Sequence, residues 1–127
     1  MRIGTRFQRR QRFVDSAVMY RLQQSNILVA PGVYDGLTAA IATDAGFETL
    51  YLSGAGVAYT RLGRPDIGLS TSSEMADTMA LIADRTALPV IIDAASENNA
   101  RLYQKFGFRV IKKEEALGFP IYFLRLN

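Results

Sequence analysis

A chain of 127 residues with no histidine, no cysteine and no tryptophan has room for one domain. It cannot build a disulfide, a His/Cys metal site, a cysteine nucleophile or a histidine base, so acids, bases and ligands must come from carboxylates, hydroxyls, amides, lysine, arginine or the backbone. The net charge of +3 is concentrated: residues 1 to 12 hold Arg2, Arg6, Arg9, Arg10 and Arg12 and no acid, and the remaining 115 residues carry ten cations against twelve acids.

That concentration argues against a nucleic-acid partner, which would require basic groups spread over a folded face. Residues 1–15 read as a basic tail, either solvated or forming an amphipathic first helix, with an organelle transit peptide as the alternative. No apolar run approaches the ~20 residues of a membrane span. The expectation is a soluble, cytoplasmic protein with no membrane partner.

From Asn26 onward short apolar runs alternate with helical patterns, the sign of parallel β/α architecture. Ile27-Leu28-Val29-Ala30, ended by Pro31-Gly32, predicts a first strand buried on both faces. Asp35 is placed to cap a helix whose buried stripe is Leu37, Ala40 and Ile41 and which Gly46 stops. Thr49-Leu50-Tyr51-Leu52 predicts a second strand running into Ser53-Gly54-Ala55-Gly56, and a long loop then extends to Thr71. Thr71 and Glu74 stand in capping-box spacing before a helix with Met75, Met79 and Ile82 on one face. Leu88 to Asp93 predicts a third buried strand. Ser96 and Glu97 open a further helix with Leu102, Tyr103 and Phe106 on one face, closed by Gly107. Phe108–Glu115 and Pro120–Leu126 read as two strands of a hairpin joined by residues 116–119.

In parallel α/β sheets, chemistry collects in the loops at the carboxyl ends of the strands. Tyr34 and Asp35 follow the first strand, Ser53 to Gly56 the second, and Asp93 ends the third. Ser53-Gly54-Ala55-Gly56 is either a tight turn or a set of backbone amides for a carboxylate or phosphate. It is neither a dinucleotide fingerprint, since Tyr59 occupies the third glycine position, nor a P-loop. In Arg61-Leu62-Gly63-Arg64-Pro65-Asp66, Asp66 is a candidate active carboxylate and Arg61 or Arg64 an anion clamp; a solvated, proline-stiffened turn is the alternative. Asp93, at the end of an apolar strand, needs a cation, a metal or hydrogen-bond donors, or else serves a turn or cap.

Residues 16–94 resemble the start of the isocitrate lyase/phosphoenolpyruvate mutase family. The likeness rests on Leu28 to Asp35, Ala45-Gly46-Phe47, Tyr51 to Ala58, Leu62 to Leu69 and Leu88 to Ala94, in that order. It implies part of a (β/α)8 barrel acting with Mg2+ on C–C or P–C bonds of small oxo-acids, with a small oxo-acid or other carboxylate as ligand. By this resemblance Ser53, Gly54 and Ala55, with Tyr34 and Asp35 beside them, match the substrate site. Asp66 matches a mobile-loop catalytic aspartate and Asp93 the first of two aspartates organising Mg2+. The family continues Asp-Ala-Asp-Thr-Gly where this chain reads Asp93-Ala94-Ala95-Ser96-Glu97, so Ala95 replaces the second metal aspartate. The lyase branch's Lys-Lys-Cys-Gly-His loop is absent, and a whole barrel takes ~250 residues. These departures imply a catalytically incomplete domain.

Residues 95–127 resemble the end of a GNAT-type N-acetyltransferase, on the stretch from Ala95 to Val110 and the terminal Pro120 to Arg125. This second likeness implies Asn98 or Asn99 on an acetyl-CoA arm and Tyr103 as the group protonating the leaving thiolate, although the loop that cradles the CoA pyrophosphate is missing. Packing of Tyr103 and Phe106 onto a sheet is the alternative. The two likenesses meet at Asp93-Ala94-Ala95, as in a chimera whose value is structural rather than enzymatic. The expected fold class is α/β: a three-stranded parallel β-α-β-α-β segment, partial TIM-barrel-like, followed by a helix and a C-terminal β-hairpin packed with it as one domain. A homo-oligomer of such domains is the alternative to a compact monomer.

Overall fold

The computed structural model describes Tyr20, Gln23, Gln24, residues 27–66 and residues 71–126. The basic tail expected over residues 1–15 lies outside the described residues.

Each of the four helices bounded among the described residues begins where a side chain satisfies one of its otherwise unbonded first amides. Asp35 caps α1 (Gly36–Asp44): its carboxylate accepts from the Thr38 amide at 2.7 Å, and the Asp35 amide donates to the Thr38 hydroxyl oxygen at 3.2 Å. Ser53 caps α2 (Gly54–Leu62) by accepting from the Gly56 amide at 3.0 Å. At α3 (Ser72–Arg85) the Glu74 amide donates to the Thr71 hydroxyl oxygen at 3.3 Å, and the Thr71 amide donates to the Glu74 carboxylate at 2.6 Å. The bond from the Thr71 amide, and then one from the Thr71 hydroxyl to the same carboxylate, hold the Glu74 carboxyl below its ordinary range. Ser96 caps α4 (Glu97–Lys105) through the Asn99 amide.

The strands are β1 (Gly32–Val33), β2 (Leu50–Leu52), β3 (Val90–Ala94), β4 (Arg109–Ala116) and β5 (Phe119–Leu126), in the sheet order β1-β2-β3-β5-β4. The first three are parallel, and β5 inserts antiparallel between β3 and β4. The mixed α/β class with a C-terminal hairpin is therefore the architecture read from the sequence. The hairpin turns on Leu117 and Gly118, both left-handed at φ 54° and 80°, so its link is two residues rather than four. Registers Leu50↔Val90, Ile92↔Leu124 and Ala94↔Tyr122 align one face of the sheet, and all six residues are buried in the core. Among the described residues, α3 packs against α1, α2 and α4 and adds Met75, Met79 and Ile82 to that core.

Four further expectations are corrected. The run Ile27–Ala30 is not a buried strand: Ile27 is 89% exposed, and pairing begins only at Gly32, because the three residues of β2 reach no further back. The α1 stripe is also displaced. Leu37 and Ile41 are 68% and 59% exposed, whereas Ala39 and Ala42 are buried, since the Asp35 cap sets the helix phase and small side chains permit close approach to α3. A Cβ on Gly36 would already stand 3.2 Å from the Arg85 Cγ. Next, α2 takes in Gly54-Ala55-Gly56, read with Ser53 as a turn or anion loop, and the first six residues of the predicted long loop. Gly54 and Gly56 each weaken a helix by ~1 kcal/mol, and only Val57 and Ala58 are buried, so no periodic stripe advertises it. On α4, Leu102 and Tyr103 are half-buried as expected, but Phe106 is exposed.

Leu50→Ala, which empties a fully buried site, is expected to cost about 2–5 kcal/mol in urea denaturation, and Leu37→Ala less than about 0.5 kcal/mol. Equal costs would restore the stripe read from the sequence.

Candidate functional site

The alternation of β2 and β3 decides which side chains reach the carboxyl ends of the strands. Leu50, Leu52, Val90 and Ile92 point into the core, so Tyr51 and Asp93 project from the opposite face. The Tyr51 hydroxyl donates a hydrogen bond to the Asp93 Oδ1. Burial, then this bond and the Asp93 charge, hold the Tyr51 hydroxyl protonated well above its ordinary 10.0, and the Asp66 charge adds to the effect. The Tyr103 hydroxyl is raised too, by burial first and then by the charges of Asp93 and Asp66. Near neutral pH both phenols are therefore donors.

Around this pair lies a cavity of about 400 Å³ at the ends of β2 and β3, closed by the starts of α2 and α4. It brings together Ser53, Gly54, Ala55, Asp66, Asp93, Asn99 and Tyr103, with Tyr51 and Ala95 in the same wall. The Ser53 hydroxyl engages the Gly56 amide, and the amides of the first α2 turn ahead of it have no intrahelical acceptor. The Asp66 carboxylate approaches that turn so closely that a Cβ on Gly54 would meet its Oδ2 at 3.0 Å.

Five candidates from the sequence lie elsewhere. Asp35 is engaged in the α1 cap through bonds to the Thr38 amide and hydroxyl, at 2.7 and 2.8 Å. Tyr34 stands behind α2, where a Cβ on Gly56 would come within 2.8 Å of its ring. It supports the helix that forms the cavity wall rather than lining it. Asn98 is exposed and outside the lining, whereas its neighbour Asn99 is within it. Arg61 and Arg64, the candidate anion clamps, are exposed and also outside the lining. Tyr51 is the group that sequence reasoning missed. Its signal was the alternation of Leu50-Tyr51-Leu52, which aims a polar side chain away from the core two residues before Ser53.

Among the described residues no three carboxylates gather into a metal cluster. The cavity offers two, Asp66 and Asp93. Mg2+ is commonly held by one or two carboxylates together with water and ligand oxygens, so this donor set fits a weakly held divalent cation.

The sequence and fold both have known counterparts. The family model described as phosphoenolpyruvate phosphomutase matches residues 19–103. A 2,3-dimethylmalate lyase of Eubacterium barkeri is 34% identical over 102 residues, covering 74% of this chain and 35% of the lyase. A 2-methylisocitrate lyase of Aeropyrum pernix is 45% identical over 73 residues, covering 58% of this chain and 23% of the lyase. The trigonal crystal structure of a 2,3-dimethylmalate lyase, described as a PEP mutase/isocitrate lyase superfamily member, superposes with a TM-score of 0.61 at 34% identity over 73% of this chain and 34% of that one. The chain thus spans roughly a quarter to a third of the length of these relatives.

A group whose pKa is raised by folding adds stability that is complete below its unfolded value and is lost as pH rises. The fold is therefore expected to weaken from about pH 10 upward, less steeply in Tyr51→Phe. Alkaline titration followed by phenolate absorbance should find late-ionising tyrosines among the six, and Tyr51→Phe should remove the latest.

Proposed function

The chain belongs to the phosphoenolpyruvate phosphomutase family, and from that membership we propose that its cavity is the carboxylate-binding end of a small oxo-acid site, catalytically incomplete as it stands. The observation carrying this reading is the convergence of Ser53, Gly54, Ala55, Asp66 and Asp93 on one cavity at the ends of β2 and β3. Their residue types suit a small anion accompanied by a divalent cation.

In this reading the first-turn amides of α2 orient a ligand carboxylate, aided by the helix dipole. Tyr103 keeps its proton and donates toward ligand oxygens, while the single Tyr51 proton is engaged by Asp93 and fixes the orientation of that carboxylate. Asp93 would hold Mg2+, with Asp66 as the second carboxylate within the cavity. Bound there, the cation would supply Lewis-acid stabilisation of an enolate-like oxygen. Ala95 lines the cavity where the family resemblance places a second metal aspartate. That replacement is the basis for proposing incompleteness. The C–C or P–C bond chemistry of the whole family is part of the proposal and extends to this chain only as descent.

One observation supports a second reading. Asn99 and Tyr103, which the acetyltransferase likeness of residues 95–127 singles out, line the same cavity. Under that reading acetyl-CoA is the ligand; under a third, the chain is a structural domain with a chimeric history.

Calorimetric titration with oxalate, an enolate mimic, in the presence and absence of Mg2+ separates these readings. Weak oxalate binding that requires Mg2+ and is abolished by Asp93→Ala is expected. Ala95→Asp should strengthen it by about tenfold or more, as a restored metal-supporting carboxylate does. Binding of acetyl-CoA alone would favour the second reading. A melting midpoint that neither ligand moves would favour the third.

A further inference from the structure

β4 lies at the edge of the sheet and pairs only with β5 among the described residues. Every residue of this eight-residue strand except Ile111 is exposed. The irregularity that blunts an edge falls between Val110 and Lys112, so the stretch from Lys112 to Ala116 keeps a regular ladder toward β5. Beyond it the hairpin tip carries exposed apolar side chains, Leu117 at 97% and Phe119 at 66%.

A charged edge normally keeps strands apart, and a run of one sign does so against any copy of itself. Lys112-Lys113-Glu114-Glu115 behaves differently, because its sign changes at the centre. Parallel in-register pairing of two copies would set Lys against Lys and Glu against Glu. Antiparallel pairing about a two-fold axis through Lys113 sets Lys112 opposite Glu114 of the second copy and Glu114 opposite its Lys112. Lys112 and Glu114 face the same side of the sheet and already form an ion pair within one chain. The two-fold therefore produces a square of four charges alternating in sign. The like charges on the axis, one Lys113 from each copy, each lie 5.2 Å from the centroid of the Tyr122 ring, which attracts a cation.

We propose that the β4 edge is a homodimer interface, in which two copies of this chain join antiparallel into one continuous ten-stranded sheet. The interface is isologous: each copy presents the same charge pattern, and the pattern is its own complement only in the antiparallel sense. It leaves the cavity at the ends of β2 and β3 unobstructed, since β5 separates β4 from β3.

The test is solution mass by light scattering over a concentration series, with circular dichroism melts to establish folding. The parent chain is expected to reach twice the chain mass. Lys112→Glu/Lys113→Glu makes the edge all acidic and Glu114→Lys/Glu115→Lys makes it all basic, so each alone should self-associate at least tenfold more weakly. An equimolar mixture of the two should form a heterodimer that salt dissociates. The exchange Lys112→Glu/Glu114→Lys keeps Lys113 beside the Tyr122 ring and preserves the self-complementary pairing, so it should dimerise as the parent does, which keeps the test decisive if a single-sign variant fails to fold. A parent that stays monomeric throughout, a single-sign variant that associates as the parent does, or a 112/114 exchange variant that stays monomeric overturns the proposal.

Discussion

The structure depends on the two-residue alternation of β3. Val90, Ile92 and Ala94 face the helices and join the buried cluster, and this leaves Asp93 no direction but the opposite side of the sheet. A one-residue slip would drive the carboxylate into the core, where an uncompensated charge is prohibitively costly, and would turn Ile92 and Ala94 out to solvent. The neighbours of β3 hold it against such a slip from both edges. β2 pairs with it in parallel, and β5 pairs antiparallel along its full length, from Val90↔Leu126 to Ala94↔Tyr122. The carboxylate of the cavity is thus positioned by the same ladder that fixes the core.

The second wall of the cavity has a different origin. α2 follows β2 with a single intervening residue, Ser53, so its first turn necessarily opens at the strand end. Its glycines look wrong for a helix by propensity, yet both have a steric role. Gly56 gives the Tyr34 ring room to pack behind the turn, and Gly54 lets the Asp66 carboxylate come close in front of it. A helix that is locally weak is retained because docking against α3 and the Ser53 cap support it from outside its own sequence.

The electrostatic character of the cavity follows from this construction. It contains two carboxylates, two phenols held protonated and an amide-rich helix start, and no lysine or arginine among its lining residues. An anion approaching alone meets two negative charges and a few donors; one accompanied by a divalent cation meets a balanced site. Tyr51 is central to that balance, because its bond to Asp93 both orients the carboxylate and ties the proton of the phenol to the presence of the charge.

Short-range rules were legible from the residues alone. The caps at Asp35, Thr71 and Ser96, the stops at Gly46 and Gly107, the apolar strands β2 and β3 and the final hairpin all follow from interactions within three or four positions along the chain. So were Ser53, Gly54, Ala55 and Asp93, which fall together at the strand ends because parallel β/α order puts them there; Asp66 reaches the same cavity from the segment after α2. Only the tertiary structure decided that Ile27–Ala30 forms no strand among the described residues, that Leu37 and Ile41 face outward, that a helix begins at Gly54 and that Tyr51 meets Asp93. Each of these depends on a partner distant in sequence: the reach of β2, the close approach of α3, the side chains that Gly54 and Gly56 leave room for, and the register of β2 on β3. Local propensity says which residues can form an element, whereas pairing and burial, which act between segments, say which of them do.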